Sequence, residues 1–141
     1  MIESSSYNGK RRFRFHLDPN SGVPVYRQII DQIMAGIATG ALAGGDQLPT
    51  VRQVAVDLAI NPNTVVRAWR ELEIRGVLDT QQGTGTFVSQ QKVKRDDVER
   101  QRLLAQIAGE FVARAGAAGF TLDQLLEKLR EFQNDSGKPR R

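Results

Sequence analysis

The sequence predicts a mainly α-helical chain carrying one small β-hairpin, and three observations predict it. Apolar residues recur with a helical period in successive stretches on both sides of the chain's middle. Two short β-prone runs, Val77–Thr80 and Thr84–Val88, flank the glycine-containing segment Gln81-Gln82-Gly83. Paired helix-start signals, Thr50 with Gln53 and Asn61 followed by Pro62, stand close together just before that hairpin. From Leu48 to Val88 the order is therefore short helix, turn, longer helix with an apolar spine, tight hairpin. This is the order of a helix-turn-helix followed by a wing, a device that sets one helix in the major groove of DNA.

The segments around this unit complete the expected architecture: a winged helix-turn-helix domain followed by a short C-terminal helical hairpin. Residues 1–12 are polar, rich in serine and end in Lys10-Arg11-Arg12, the composition of a mobile arm. The domain spans 13–90. It opens on Phe13, Phe15 and Leu17 alternating with Arg14 and His16, the period of a half-buried strand, and Asp18-Pro19-Asn20-Ser21-Gly22 ends that strand. Pro24 fits the first turn of a helix. Val25, Ile29, Ile33 and Ile37, widened by Ile30 and Met34, give that helix an apolar face up to Thr39, with Gly40 as its stop. Ala41 to Leu48 reads as a loop, with Leu42 plugging back into the core.

Val54 and Leu58 form the inner edge of the second helix, beside Val51 and Ala55. Val65, Ala68, Trp69 and Leu72 form the inner side of the third, which ends near Arg75-Gly76. Residues 91–134 form a two-helix region. Its first helix carries Leu104, Ile107, Ala108, Phe111, Val112 and Ala115 and is interrupted at Gly116 and Gly119. Its second is announced by Thr121 with Gln124, and by Phe120 with Leu125, and carries Leu122, Leu125, Leu126, Leu129 and Phe132. Residues 135–141 are expected to be a disordered basic tail. A pair of amphipathic helices must bury its apolar stripes, either on the first domain or on a second copy of itself, and the second is favoured.

Composition narrows the function classes. A chain of 141 residues with 40% hydrophobic content suits one small core and an appendage rather than a large ligand pocket. It has no cysteine, so no disulfide framework and no thiolate metal site, in keeping with a reducing cytoplasm. No stretch reaches the roughly 20 apolar residues of a membrane span, and no apolar segment follows the basic N-terminal residues as a secretory signal requires. Net charge is +4, split as nine Lys/Arg against eight Asp/Glu in residues 1–90 and eleven against eight in residues 91–141. That imbalance leans towards an anionic partner but does not by itself define one.

The chemistry is carried by patterning. Asn63, Arg67 and Arg70 recur at i, i+4 and i+7 on the third helix, away from its apolar side, with side chains that reach phosphates and base edges. Arg52 sits near the start of the second helix. Asn61 is a cap first and a DNA contact second, and Arg70 suits phosphate better than base. Arg67 and Arg70 could instead pair with Glu71 or Glu73, worth only ~0.5 kcal/mol on a helix surface. The spacing of Trp69 with Val65 and Leu72 says core rather than base stacking. His16, the one histidine, has neither a second ligand nor a nucleophile beside it. Gly83-Thr84-Gly85 lies inside a hairpin with no helix after it, so it is no phosphate-cradling loop. No cofactor, metal site or catalytic residue is expected. Lys92, Lys94 and Arg95 after the wing, and Lys10, Arg11, Arg12 and Arg14 near the start of the chain, could touch phosphates or simply solvate the chain.

The run from Pro24 to Val88, with LPTVRQVA, NPNTV and GTGTFV in that order, resembles the winged-helix domain of the GntR superfamily of bacterial transcription regulators. The short two-helix C-terminal part, and NPNTV in place of S-R-x-T-V, look like its YtrA-type branch. The resemblance covers roughly residues 13–132. It implies a homodimeric, repressor-like protein on a palindromic operator, and control of a transporter operon, an ABC-transporter operon including its own gene. Carried over residue by residue, it implies DNA contacts at Arg52, Asn63, Thr64, Gly83 and Gly85, with Asn61 and Arg67 joining them; Arg70, on the same helix face, and Thr84, in the wing, complete the expected contact set. The apolar stripes of the last two helices put the expected dimerisation on Leu104, Ile107, Phe111, Leu122, Leu125, Leu126 and Leu129. Pro62 and Val66 stand where the general pattern has arginines, and the wing has Gln82 and Thr84 where basic residues are common, so the wing is left with backbone N–H groups and amides. Two rival readings stay open: a protein-interaction module that reuses the winged helix, and a sensor whose C-terminal part binds a small-molecule effector, for which few convergent polar groups exist.

Overall fold

The computed structural model describes residues 13–90 and 96–137. The arm expected at residues 1–12, the cluster Lys92, Lys94 and Arg95, and the tail residues 138–141 lie outside the described residues. The described residues form two compact units, residues 13–90 and residues 96–137.

The first unit runs α1 (Val25–Thr39), α2 (Val51–Leu58), α3 (Pro62–Ile74), β1 (Leu78–Gln81) and β2 (Gly85–Val88). Each helix begins and ends where short-range chemistry directs it. The Thr50 side chain accepts from the Gln53 N–H at 3.1 Å and the Asn61 side chain accepts from the Asn63 N–H at 2.8 Å, each satisfying a first-turn N–H that the helix itself leaves unpaired. Gly40 closes α1 in the left-handed conformation. Ala59 and Gly76 close α2 and α3 in the same way, and the next residue donates back into the last turn, Ile60 to the Ala55 carbonyl at 3.0 Å and Val77 to the Leu72 carbonyl at 2.9 Å.

Ala59 is the one described non-glycine residue with positive φ, at 54°. It is the turn of the helix-turn-helix and its side chain is exposed. A Cβ in this region costs roughly 1–2 kcal/mol. Ala59→Gly removes that cost and returns part of it as unfolded-chain entropy. The variant is therefore expected to gain about 0.5–1 kcal/mol, read as a higher urea midpoint at unchanged slope. An unchanged or lower midpoint would show that the turn is not under this strain.

The core lies between the three helices and the base of the hairpin. Ile29, Ile30 and Ile33 of α1 meet Val65, Ala68, Trp69 and Leu72 of α3, with Val54 and Ala55 of α2 and Leu42, Leu48, Leu78 and Val88 closing the sides. At roughly 1.5–3 kcal/mol per fully buried aliphatic side chain, this apolar cluster is the main favourable contribution to folding. Met34 is exposed rather than part of the face: the α1 arc centres on Ile29, Ile33 and the buried Gly36, which puts Met34 about 130° off its middle.

Two expectations are corrected here. Residues 13–17 form no strand. Phe15 is buried against Trp69, Phe13 packs edge-on to Phe15, and the backbone is held by two glutamines of α1 instead of a neighbouring strand. The Gln32 amide exchanges two hydrogen bonds with His16, and the Gln28 amide accepts from the Asp18 N–H and donates to the Asp18 and Val23 carbonyls. Secondly, the Ala41–Leu48 segment is more than a loop. Its end pairs along β2: Gly45 and Leu48 donate to the Val88 and Thr86 carbonyls, and Val88 donates to the Asp46 carbonyl, each at 2.8 Å, around an antiparallel bridge of Gln47 with Phe87. The wing therefore has β2 bonded on both edges.

The second unit is a helical hairpin, α4 (Asp97–Ala117) packed on α5 (Leu122–Gly137). Gly116 lies within α4, and Gly119 alone makes the stop, at φ 89°. Thr121 and Gln124 form the expected reciprocal capping box: Thr121 N–H to the Gln124 side chain at 2.9 Å, Gln124 N–H to the Thr121 hydroxyl at 3.2 Å. The helix continues through residues 135–137, which the sequence reading assigned to a tail.

Candidate nucleic-acid interface

α3 is buried along Val65, Ala68, Trp69 and Leu72, and a turn of 100° per residue sends Asn63, Arg67 and Arg70 to the opposite side, where all three are exposed. Pro62 at the first helical position and the Asn61 cap fix the angle at which this row is presented. The Asn61 side chain is thus engaged locally, whereas the side chain of Asn63 extends from the first turn into solvent. Thr64 is half-buried rather than fully at the front, because it sits at the edge of the arc beside Val65.

Arg52 is exposed on the first turn of α2, beside an open depression formed with Thr50, Gln53, Val56 and Asp57. The carboxylates suggested as surface partners for the α3 arginines are not used by them. Glu71 pairs with Arg75 at 3.6 Å, and the Arg67 guanidinium lies over the Tyr26 ring, 3.8 Å from its centroid. No ion pair among the described residues neutralises Arg52, Arg67 or Arg70. Three free cations therefore lie between residues 52 and 70.

The wing pairs Leu78 with Val88, Asp79 with Phe87, Thr80 with Thr86 and Gln81 with Gly85, so β1 runs one residue further than the sequence indicated and the tip is Gln82-Gly83-Thr84. The two wing glycines have different duties. Gly83, at φ 78°, is exposed with open space where a Cβ would stand, so its backbone is accessible to a large partner. Gly85, at φ 139°, is half-buried, and a Cβ there would lie 2.5 Å from the Gln47 side-chain nitrogen. That same nitrogen donates to the Thr84 carbonyl at 3.1 Å, so Gly85 makes room for the clamp that holds the tip while Thr84 itself stays exposed. Tyr26 and Gln47 were missed by sequence reasoning. Neither lies within helical or hairpin spacing of its partner, so no local signal could have found them.

In the second unit Leu104, Ile107, Phe111, Leu122, Leu126, Leu129 and Phe132 are all exposed in the single chain, and Leu125 is half-buried. No described helix is long and apolar enough to cross a membrane.

Comparison with known proteins accounts for both units. The family described as "Bacterial regulatory proteins, gntR family" matches residues 25–88, from the start of α1 to the end of the wing. The HTH-type transcriptional repressor YtrA of Bacillus subtilis (strain 168) is 36% identical over 120 residues, 84% of this chain and 92% of that protein. The HTH-type transcriptional regulator YhcF of the same organism is 35% identical, over 79% of this chain and 92% of that protein. Among solved structures, the transcriptional antiterminator of Listeria monocytogenes EGD-e aligns with a TM-score of 0.66 at 26% identity, covering 92% of this chain and 96% of that one. The likeness thus extends past the winged helix into the C-terminal hairpin. With its capped α3, its wing and this near full-length likeness to YtrA, the chain belongs to the GntR family of transcription regulators, with a DNA-binding winged helix of the YtrA-like kind.

Proposed function

We propose that the chain is a homodimeric repressor that binds a palindromic operator, with α3 of each protomer in the major groove and the C-terminal helices joining the protomers. The observation that carries this reading is the exposed row Asn63–Arg67–Arg70, standing opposite a fully buried spine on a helix whose start is fixed by a cap and a proline. Repression is proposed from the relative named as a repressor, and control of an ABC-transporter operon that includes its own gene is proposed with it.

Each residue takes a role from its surroundings. Asn63, free at the helix front, suits bidentate pairing with adenine, and Thr64 supports it at the same turn. Arg52 and Arg70 suit phosphates. At the wing, Gly83 brings its backbone close, Thr84 offers a hydroxyl, and Gly85 serves the Gln47 clamp. Asn61 acts through the position it gives α3. The exposed apolar residues of α4 and α5 favour a second copy as their cover, since a stripe of this kind is stable in water only when buried. No small-molecule effector is proposed.

Fluorescence anisotropy of the full chain on its own promoter region and on a scrambled duplex tests the assignments. Asn63→Ala is expected to lose about 1–3 kcal/mol on the promoter and much less on the scrambled DNA. Arg52→Ala is expected to weaken both equally and flatten the salt dependence. Equal loss on both duplexes for Asn63→Ala would remove it from base reading.

A further inference from the structure

Arg67 has no carboxylate partner among the described residues, although Glu71 stands one helical turn away. Glu71 is taken by Arg75 at 3.6 Å, and the Arg67 guanidinium is stacked 3.8 Å from the centre of the Tyr26 ring. Tyr26 is the second residue of α1, half-buried where α1 packs on α3. A ring beneath a guanidinium holds its plane without neutralising it and leaves its N–H edge free to donate. The result is a cation fixed in place with its charge still unspent.

Its direction matters as much as its charge. Asn63 and Arg70 point out along the axis opposite the α3 core, but the stack draws Arg67 sideways, to the first turn of α1. In a helix-turn-helix the first helix, here α2, crosses the DNA backbone while the recognition helix lies in the groove. A side chain turned from the front of α3 to its flank is therefore directed at the groove wall, where the phosphates lie. We infer that Tyr26 is a positioning residue that holds Arg67 as a preset phosphate contact at the flank of α3, and that Arg67 does not read bases. This rests on the proposed docking of α3 in the groove. The arrangement also bears on Val66, which stands where the general pattern has an arginine: the neighbouring position supplies the cation, braced from α1.

The test uses the full-length chain and two duplexes of equal length, one selected by the wild type from a random pool and one of random sequence. Arg67→Ala is expected to weaken both by the same factor and lower the salt slope by about one per protomer. Tyr26→Leu is expected to cost about threefold on both duplexes, the worth of an exposed cation–π contact. It should cost nothing further in the Arg67→Ala background, and Tyr26→Phe, which keeps the ring, should bind as the wild type does. Far-UV circular dichroism checks that each variant is folded, and the Phe variant keeps the comparison valid if Leu perturbs α1. Equal costs of Tyr26→Leu with and without Arg67 would overturn the pairing. A change in the ratio between duplexes on Arg67→Ala would overturn the phosphate role. A wild-type selection that retained no duplex from the pool would remove the DNA reading itself, a failure distinct from tight binding with uncoupled Tyr26 and Arg67.

Discussion

A chain carrying Phe111→Asp with Leu126→Asp is expected to be monomeric, to keep its winged helix folded, and to lose operator-grade affinity. Both side chains are exposed in the single chain, Phe111 at 51% and Leu126 at 39%, within an apolar series that spans α4 and α5. Carboxylates at those positions stay in water on one chain but would be buried if two chains meet there, an uncompensated cost of several kcal/mol per ion. The winged helix should be untouched, since its core residues all come from residues 15–88. Loss of the partner removes the second half-site from the same binding event, and linked binding of this kind is worth about 10²–10⁴ in affinity. Sedimentation equilibrium should give the monomer mass, and anisotropy should show binding weakened at least about 100-fold. A dimer that persists would move the interface elsewhere. A monomer that binds as tightly as the wild type would show that one winged helix suffices.

Trp69→Ala is expected to be the most damaging single substitution on α3, and for a reason unrelated to base stacking. Trp69 is 4% exposed, with the Phe15 ring centroid 6.1 Å away and the Ile29–Ile33 turn of α1 in the same cluster. Removing an aromatic side chain from such a site costs about 3–5 kcal/mol, most of what a domain this small has to spare. Because Phe15 anchors the segment that Gln28 and Gln32 hold, the loss should also release residues 13–18 from α1. Urea titration should show a strongly lowered midpoint, with DNA binding recovered in Trp69→Phe in step with stability. A Trp69→Ala chain of unchanged stability that had lost DNA binding would return Trp69 to the interface.

What the sequence made legible was what is decided locally. Caps at Thr50, Asn61 and Thr121 are set by a side chain two or three residues from the N–H it satisfies, so spacing alone finds them. The α3 spine and the outward row Asn63–Arg67–Arg70 follow from one angle per residue. Other features depend on partners far along the chain. The alternation of Phe13, Phe15 and Leu17 resembles a strand until one finds that Gln32, sixteen residues from His16, supplies the hydrogen bonds. Pairing of Gly45, Asp46 and Leu48 with β2 crosses two helices. The stacking of Arg67 on Tyr26 is likewise a product of how α1 crosses α3, and it changes what the arginine is suited to do. The outward row was readable; the turn of the Arg67 side chain onto Tyr26 was not.

The central claim, that two chains read one palindrome through α3, is tested most directly by selecting duplexes from a random pool with the full-length protein and counting the chains bound to each. Two-fold symmetric docking predicts an enriched inverted repeat, half-sites one helical turn apart (about 10 base pairs between centres), and two chains per duplex. A pool that shows no enriched sequence, or a single asymmetric site holding one chain, would contradict it.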